Sequence, residues 1–159
     1  GVSNFSPAHL DRLMAKANVV PAVNQVELHP FFPQAELVAA HRKLGIVTQA
    51  WSPIGGVKRY RAKEGETPHD PLGHPTVTAL ARKYGKTPAQ VVLRWHIERD
   101  YSAIPKSVRA ERIRENFDVF DFSLDAEEVA AIDGLDTGRR GGSDPEQVDT
   151  EFYGIRIED

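Results

Sequence analysis

Short apolar segments that favour β-strands alternate with longer segments of helical periodicity along most of this chain. Strands are predicted at 22–27, 46–51 and 101–104, and residues 1–5 are typical of the end of a further strand. Helices are predicted at 6–16, 34–44, 75–84, 87–99, 109–117 and 123–135. Strands that alternate with helices form right-handed crossovers within a parallel sheet. The chain is therefore predicted to have an α/β fold.

Local signals mark where three of these helices begin. Ser6 before Pro7 is typical of an N-cap followed by proline at the first helical position. Thr87 and Gln90 have the spacing of a capping box, in which two residues bind each other's backbone N–H groups. Ser123 is predicted to cap the last helix.

The predicted sheet is too small to stand alone, because three complete parallel strands cannot cover both faces and both edges. We therefore predict that residues 1–159 form a single, partial β/α domain. A long polar loop is predicted at 57–73. Residues 136–159 are rich in glycine and charge, and we predict that they form a mobile arm.

Composition excludes several classes of function. The formal net charge of −3 predicts no bulk attraction to nucleic acid or to an anionic membrane. No apolar segment reaches the roughly 20 residues that span a bilayer. The absence of cysteine excludes disulfides and is compatible with the reducing cytoplasm, where we predict the protein to act. The six histidines lack the helical spacing of metal ligands, so no metal site is predicted.

Polar side chains occur where each predicted strand ends. They are Ser3 and Asn4, then Asn24, Gln25 and Glu27, then Trp51 and Ser52, and finally Lys106 and Ser107. In a β/α barrel the carboxyl ends of the strands form the active-site face. Each set alone is better explained by loop caps and strand-end polar residues, but four successive sets favour a common site. Trp51 could fill the core or offer a flat surface to a planar ring, and its position alone does not decide.

A basic cluster follows the last predicted strand, with Lys106, Arg109, Arg112 and Arg114 within nine positions. Cations beside a helix N-terminus form a phosphate site in physical terms. A solvated basic helix face is an equally good interpretation of these four residues alone.

Together these segments resemble the aldo-keto reductase family. The resemblance lies in GVSNF at 1–5, NQVELHP at 24–30, AWSPIG at 50–55 and IPKSV at 104–108, followed by ERI at 111–113 and EN at 115–116. It covers the chain up to about Leu135. Trp51 stands where many members have tyrosine, and with DTGRR at 136–140 it is similar to the bacterial branch of 2,5-diketo-gluconate reductases.

The resemblance implies the C-terminal half of an eight-stranded (β/α)8 TIM barrel, from the end of strand five through strand eight. It implies that NADP(H) lies across the strand ends. Ser3, Asn4 and Gln25 would bind the nicotinamide carboxamide, and Trp51 would stack on the nicotinamide ring. The resemblance further implies that the pyrophosphate contacts Ser52 and Ile54. The 2′-phosphate would be held by Lys106, Ser107, Val108 and Arg112, with Arg109 close by. Adenine would contact Glu115 and Asn116. Residues 136–159 would form part of the substrate rim.

The catalytic tetrad of the family, which is tyrosine, aspartate, lysine and histidine, precedes the Ser-Asn strand end. We therefore expect it upstream of Gly1, and none of Tyr60, Tyr84, Tyr101 and Tyr153 is assigned that role.

Three functions are consistent with this pattern. The chain is predicted to be part of an NADPH-dependent reductase of small aldehydes or ketones, inactive by itself. The alternatives are a nucleotide-binding regulatory or structural barrel without turnover, and a half-barrel without enzymatic function. The whole parent is predicted to be monomeric, and the isolated chain, with open sheet edges, to self-associate.

Overall fold

The computed structural model describes residues 1–56 and 70–148, in which four strands form a parallel sheet. The strands are β1 (Val2–Ser3), β2 (Val23–Glu27), β3 (Val47–Trp51) and β4 (Ser102–Ala103). Their order in the sheet follows their order in the sequence, and each neighbouring pair is parallel. The four carboxyl ends therefore lie along the same edge of the sheet, which confirms the predicted α/β fold.

Six α-helices lie within the described ranges. They are α1 (Pro7–Met14), α2 (Ala35–Leu44), α3 (Pro75–Tyr84), α4 (Pro88–Glu98), α5 (Ala110–Phe117) and α6 (Ala126–Asp133). Short 3-10 turns occupy Pro71–Gly73 and Pro145–Gln147. Most of the predicted loop, residues 57–69, lies outside the described residues. None of the described helices is long and apolar enough to cross a membrane.

The start of α6 differs from the prediction, because Asp125 rather than Ser123 is its N-cap. The Asp125 side chain accepts a hydrogen bond from the Glu128 N–H at 2.9 Å, and the Glu128 carboxylate accepts one from the Asp125 N–H at 3.0 Å. A capping box needs, three residues after the cap, a side chain that accepts from the N–H of the cap, and Ala126, three residues after Ser123, has none. The predicted caps at Ser6 and Thr87 are confirmed.

Side chains alternate between two faces along the central strands. On one face Val26, Thr48 and Ala50 are buried, whereas on the other Gln25 and Gln49 are half-buried. Helices cover the first face, and the apolar core of the molecule lies between them and the sheet. The second face, here called the inner face of the sheet, leads up to the polar strand ends.

A buried polar group beneath the sheet fixes the segment that follows β1. The Asn24 side chain donates to the Phe5 carbonyl at 2.9 Å and accepts from the Phe5 N–H at 3.3 Å. Its amide also donates to His41 Nε2 at 2.9 Å, and His41 Nδ1 lies 2.8 Å from the Thr48 hydroxyl. Desolvation lowers the pKa of His41, so the ring is neutral at pH 7. These bonds hold residues 3–5 at a fixed distance from β2.

The described part of the C-terminal arm, residues 136–148, is here called the tail. It does not extend away from the domain: the N–H and hydroxyl of Thr137 both donate to the Phe31 carbonyl at 3.0 Å. Further along, the N–H groups of Gly141 and Gly142 donate to the Glu27 carboxylate. The tail therefore packs on the strand ends, and the mobility predicted for the arm stays a prediction. Residues 149–159 lie outside the described residues.

Candidate functional site

Four of the predicted site residues meet at the ends of β1, β2 and β3, and we call Ser3, Asn4, Gln25 and Trp51 the strand-end cluster. Ser3 pairs with Gln25 in the sheet, and the Asn4 N–H donates to the Gln25 carbonyl at 2.8 Å. The indole Nε1–H of Trp51 donates to Asn4 Oδ1 at 2.8 Å. These residues, distant in sequence, are thus joined by direct hydrogen bonds.

A row of side-chain hydrogen bonds fixes the Gln25 amide on the inner face. Gln25 Nε2 donates to Gln49 Oε1 at 2.6 Å, and Gln49 Nε2 donates to the Ser102 hydroxyl at 3.1 Å. The three residues are paired in the parallel register of β2, β3 and β4. Gln49 and Ser102 are supporting residues that the sequence analysis missed, and their signal is only their register with Gln25.

Two residues at the strand ends have left-handed backbone conformations. Asn4 has φ 57° and Ser52 has φ 48°. Such a conformation costs a residue other than glycine on the order of 1–3 kcal/mol, and asparagine tolerates it best. The bond from Trp51 holds Asn4, and the Ser52 carbonyl accepts from the Gly55 N–H at 2.8 Å. Strained residues that neighbouring bonds hold in place occur most often at functional sites.

A cavity of about 540 Å³ lies between the ends of β3 and β4 and the start of α5, and we call it the basic cavity. Seven predicted site residues line it: Ser52, Ile54, Lys106, Ser107, Arg112, Glu115 and Asn116. Val108 and Arg109 are not among its described lining residues, and Val108 is 80% exposed. The structure therefore brings most of the predicted phosphate and adenine contacts together but leaves these two outside.

Among the described residues, the cations of the basic cavity have no counter-ion. Lys106 and Arg112 are exposed and form no ion pair or side-chain hydrogen bond with any residue in the described part of the chain. The Arg109 N–H donates to the Ser107 hydroxyl at 3.1 Å just before α5 begins, and Arg112, in the first turn of that helix, lines the cavity. Unpaired cations beside a helix N-terminus favour an anion such as phosphate. This placement favours a phosphate site over a solvated basic face.

Glu27 is a buried carboxylate at the end of β2, with no exposed surface. It accepts from the Gly141 N–H at 2.6 Å and from the Gly142 N–H at 3.0 Å, and His29 Nε2 lies 3.2 Å away. Arg140 Nη1 is 3.7 Å from its second oxygen. Desolvation raises the pKa of Glu27, but the bonds from His29, Gly142 and Gly141 outweigh it and hold the pKa below its ordinary value. Glu27 is therefore ionised at pH 7.

The described tyrosines are engaged away from the strand ends. The Tyr84 hydroxyl donates to Glu128 Oε2 at 2.5 Å, which raises the pKa of Tyr84. Tyr101 is buried and packs edge-on against Trp95. Tyr60 and Tyr153 lie outside the described residues. Among residues 1–56 and 70–148, no group of three histidine, aspartate or glutamate side chains could hold a metal ion.

Comparison with known proteins identifies a family and several similar proteins. Residues 1–137 match the aldo/keto reductase family. The chain is 53% identical over 155 residues to morphine 6-dehydrogenase of Pseudomonas putida, covering 96% of this chain and 52% of that protein. It is 48% identical over 146 residues to 2,5-diketo-D-gluconic acid reductase B of a Corynebacterium species, covering 92% of this chain and 49% of that protein. The chain spans about half the length of the curated relatives it matches.

Solved structures share the fold at similar coverage. An aldo-keto reductase from a deep-sea metagenome library superimposes with a TM-score of 0.84 at 38% identity, covering 94% of this chain and 52% of that one. An aldo-keto reductase from Bombyx mori in complex with NADP superimposes with a TM-score of 0.81 at 42% identity, covering 90% of this chain and 46% of that one. Because the family match extends over residues 1–137, most of its length, the chain belongs to the aldo/keto reductase family.

Proposed function

We propose that this chain is the C-terminal, cofactor-binding half of an NADPH-dependent aldo-keto reductase. Two observations support a half-barrel: the chain spans about half the length of its relatives, and its described residues form four parallel strands that do not close on themselves. We use "full-length protein" for this chain together with the barrel half that we propose precedes it. Its substrates are small aldehydes and ketones, which it reduces to alcohols.

The basic cavity carries the proposal for the cofactor. Its volume of about 540 Å³ and its two cations, Lys106 and Arg112, which pair with no described residue, fit the phosphorylated adenosine end of NADP(H). We propose that these cations and Ser107 hold the 2′-phosphate, while Glu115 and Asn116 contact adenine. A dianionic phosphate gains charge-assisted hydrogen bonds here that a 2′-hydroxyl does not, so the cavity selects NADP(H) over NAD(H).

At the other end of the cofactor, the strand-end cluster would bind nicotinamide. Ser3, Asn4 and Gln25 offer hydroxyl and amide groups to the carboxamide, and Trp51 offers its ring face. The bound reduced cofactor supplies hydride to a carbonyl carbon. The hydrogen bonds within the cluster fix the side chains in advance, so little conformational entropy is lost on binding. Ser52 and Ile54 lie between the two ends and would contact the pyrophosphate.

The group that protonates the carbonyl oxygen would belong to the other half of the barrel. Tyr84 and Tyr101, the tyrosines within the described residues, are committed to Glu128 and to the core. We propose that the catalytic tyrosine, aspartate, lysine and histidine belong to the preceding half. The tail would form part of the rim that the substrate meets.

NADPH oxidation tests this division of labour. The full-length protein should oxidise NADPH when a small aldehyde such as methylglyoxal is added, because both halves are present. The 159-residue chain should bind NADPH weakly and show no turnover, since we propose that the proton donor belongs to the preceding half. Rapid turnover by the chain alone would contradict the proposal, as would NADPH binding without turnover of any aldehyde or ketone by the full-length protein.

A further inference from the structure

The side of Trp51 remote from Asn4 is in contact with the tail. A Cβ atom built on Gly142 would lie 2.6 Å from Trp51 Cη2 and 3.1 Å from Glu27 Oε2. Real Cβ atoms do not approach this closely, so only glycine fits between the indole and the carboxylate without a shift of one of them. Since the Nε1–H of the same indole is bound to Asn4, the ring is held at both ends.

The tail is held at this point by Glu27. Its carboxylate takes the N–H groups of two successive tail residues, Gly141 and Gly142, and it is ionised and fully buried. A buried carboxylate must bind donors, and here the donors come from a segment 114 residues further along the chain. Glu27 is also paired with Trp51 in the parallel register of β2 and β3. The carboxylate that anchors the tail is therefore adjacent to the ring that the tail touches.

Two further contacts fasten the tail on either side of Gly142. The Arg140 guanidinium stacks 4.8 Å above the Phe32 ring and lies 3.7 Å from Glu27. On the other side, Glu146 lies 3.3 Å from His9 Nε2 in α1. The exposed Glu146 contact contributes little, whereas the buried contacts at Glu27 determine where the tail lies.

We propose that Glu27 is a positioning residue: it binds the tail at Gly141 and Gly142 and thereby presses the tail against the Trp51 ring. The indole is then fixed by Asn4 at one end and by Gly142 at the other. Its effect on the cofactor rests on the proposed function, because it acts through the ring that would stack on nicotinamide. Its effect on the ring itself does not.

Two variants disturb this arrangement in different ways. Glu27→Gln keeps the size of the side chain but loses the charge and one of the two acceptor oxygens. Gly142→Ala keeps Glu27 intact and places a methyl group where the indole lies. The matched controls are Glu36→Gln, on the exposed surface of α2, and Gly134→Ala, where a Cβ meets nothing closer than 3.5 Å.

The position of the ring is read directly by ¹⁹F NMR of protein labelled with 5-fluorotryptophan, with the Trp51 resonance assigned by Trp51→Phe. We expect the Trp51 resonance to shift or broaden in Glu27→Gln and in Gly142→Ala, while the Trp95 resonance and both controls stay unchanged. An unchanged Trp51 resonance in both variants would overturn the inference, whatever the protein binds. If Glu27→Gln does not fold, Glu27→Asp, which keeps the charge but shortens the side chain, takes its place in the same measurement.

The consequence for the cofactor is read by NADPH titration and kinetics of the full-length protein. Each variant should weaken NADPH binding about tenfold and lower kcat by ten- to a hundredfold, because small displacements of an aligned group have effects of this size. The double variant should lose less than the sum of the two, since both act through one ring. Equal NADPH affinity and kcat in wild type and both variants would overturn the inference. A wild-type protein that binds no NADPH would instead contradict the proposed function, and the NMR result would still decide the role of Glu27.

Discussion

The two ends of the candidate cofactor site are built in opposite ways. In the strand-end cluster, the side chains of Asn4, Gln25 and Trp51 are bound to other protein groups. In the basic cavity, Lys106 and Arg112 have no partner in the described part of the chain. The first end is fixed before a ligand arrives, whereas the second keeps its charge available. A neutral ring needs a precise surface, and a phosphate needs unpaired cations.

The largest effect should come from removing the unpaired cations. Lys106→Ala combined with Arg112→Ala should weaken NADPH binding by about 4 kcal/mol, since a hydrogen bond to a charged group contributes about 2 kcal/mol. NADH, without the 2′-phosphate, should lose far less. Arg114→Ala is the matched control, because Arg114 lies outside the described lining of the cavity. Calorimetric titration with both cofactors measures this, and equal losses for NADPH and NADH would refute the assignment.

Lowering the pH should lower the free energy of unfolding, because of a buried histidine in α4. His96 is fully buried next to β3, and its Nε2–H donates to the Pro53 carbonyl at 2.9 Å. Desolvation lowers the pKa of His96 from 6.5 to about 4. As pH falls below 6.5 the unfolded state takes up a proton that the folded state does not, so the free energy of unfolding should fall.

The expected loss is about 2 kcal/mol between pH 6.5 and pH 5. Urea denaturation at several pH values measures it, and His96→Gln provides the comparison because glutamine can still donate to Pro53. The variant should lose about one proton from the pH slope in this range. An identical slope in both proteins would show that His96 does not titrate as described.

Two substitutions at Asn4 should show how much its left-handed backbone and its side-chain hydrogen bond each contribute to the free energy of unfolding. Asn4→Gly removes the bond to Trp51 but accepts φ 57° easily, so we expect a loss of about 1 kcal/mol in unfolding free energy. Asn4→Ala loses the same bond and adds left-handed strain, for a total of about 2 kcal/mol. Thermal or urea denaturation compares the pair, and an alanine variant as stable as the glycine variant would contradict the strain.

The smallest expected effect is that of salt on cofactor binding, and it should arise in the basic cavity alone. Exposed charges are screened as ionic strength rises, whereas hydrogen bonds among neutral groups are not. Raising NaCl from 0.05 to 0.5 M should weaken NADPH binding about threefold more than NADH binding. Titrations at four salt concentrations give the two slopes, and parallel slopes would mean that Lys106 and Arg112 do not meet the extra phosphate.

Features of this chain could be predicted from the sequence when the residues that form them are close together along the chain. Helix caps are local, so Ser6 and Thr87 could be identified directly; Ser123 was the wrong choice because the more complete signal lay two residues later. The parallel arrangement follows from alternation of strands and helices. The bonds of Glu27 to Gly141 and Gly142 could not be predicted, since they depend on where the tail crosses the sheet.

Two further expectations stay predictions. Self-association of the isolated chain is favoured by the edge strands β1 and β4 and by Val108, Phe117 and Phe120, each at least 70% exposed. The roles of Val108 and Arg109 at the 2′-phosphate lack support from the cavity, because the described residues that line it do not include them. Both residues lie just before α5. Their predicted roles follow from being next to Ser107 in the sequence, which does not require them to face the cavity.

The most direct test of the account is a titration of the protein with NADPH and, separately, with NADH at low ionic strength. NADPH should bind at least tenfold more tightly than NADH, and the difference should disappear in the Lys106→Ala, Arg112→Ala double variant. Equal affinity for the two cofactors in the wild-type protein, or a preference for NADPH that survives the double substitution, would contradict it.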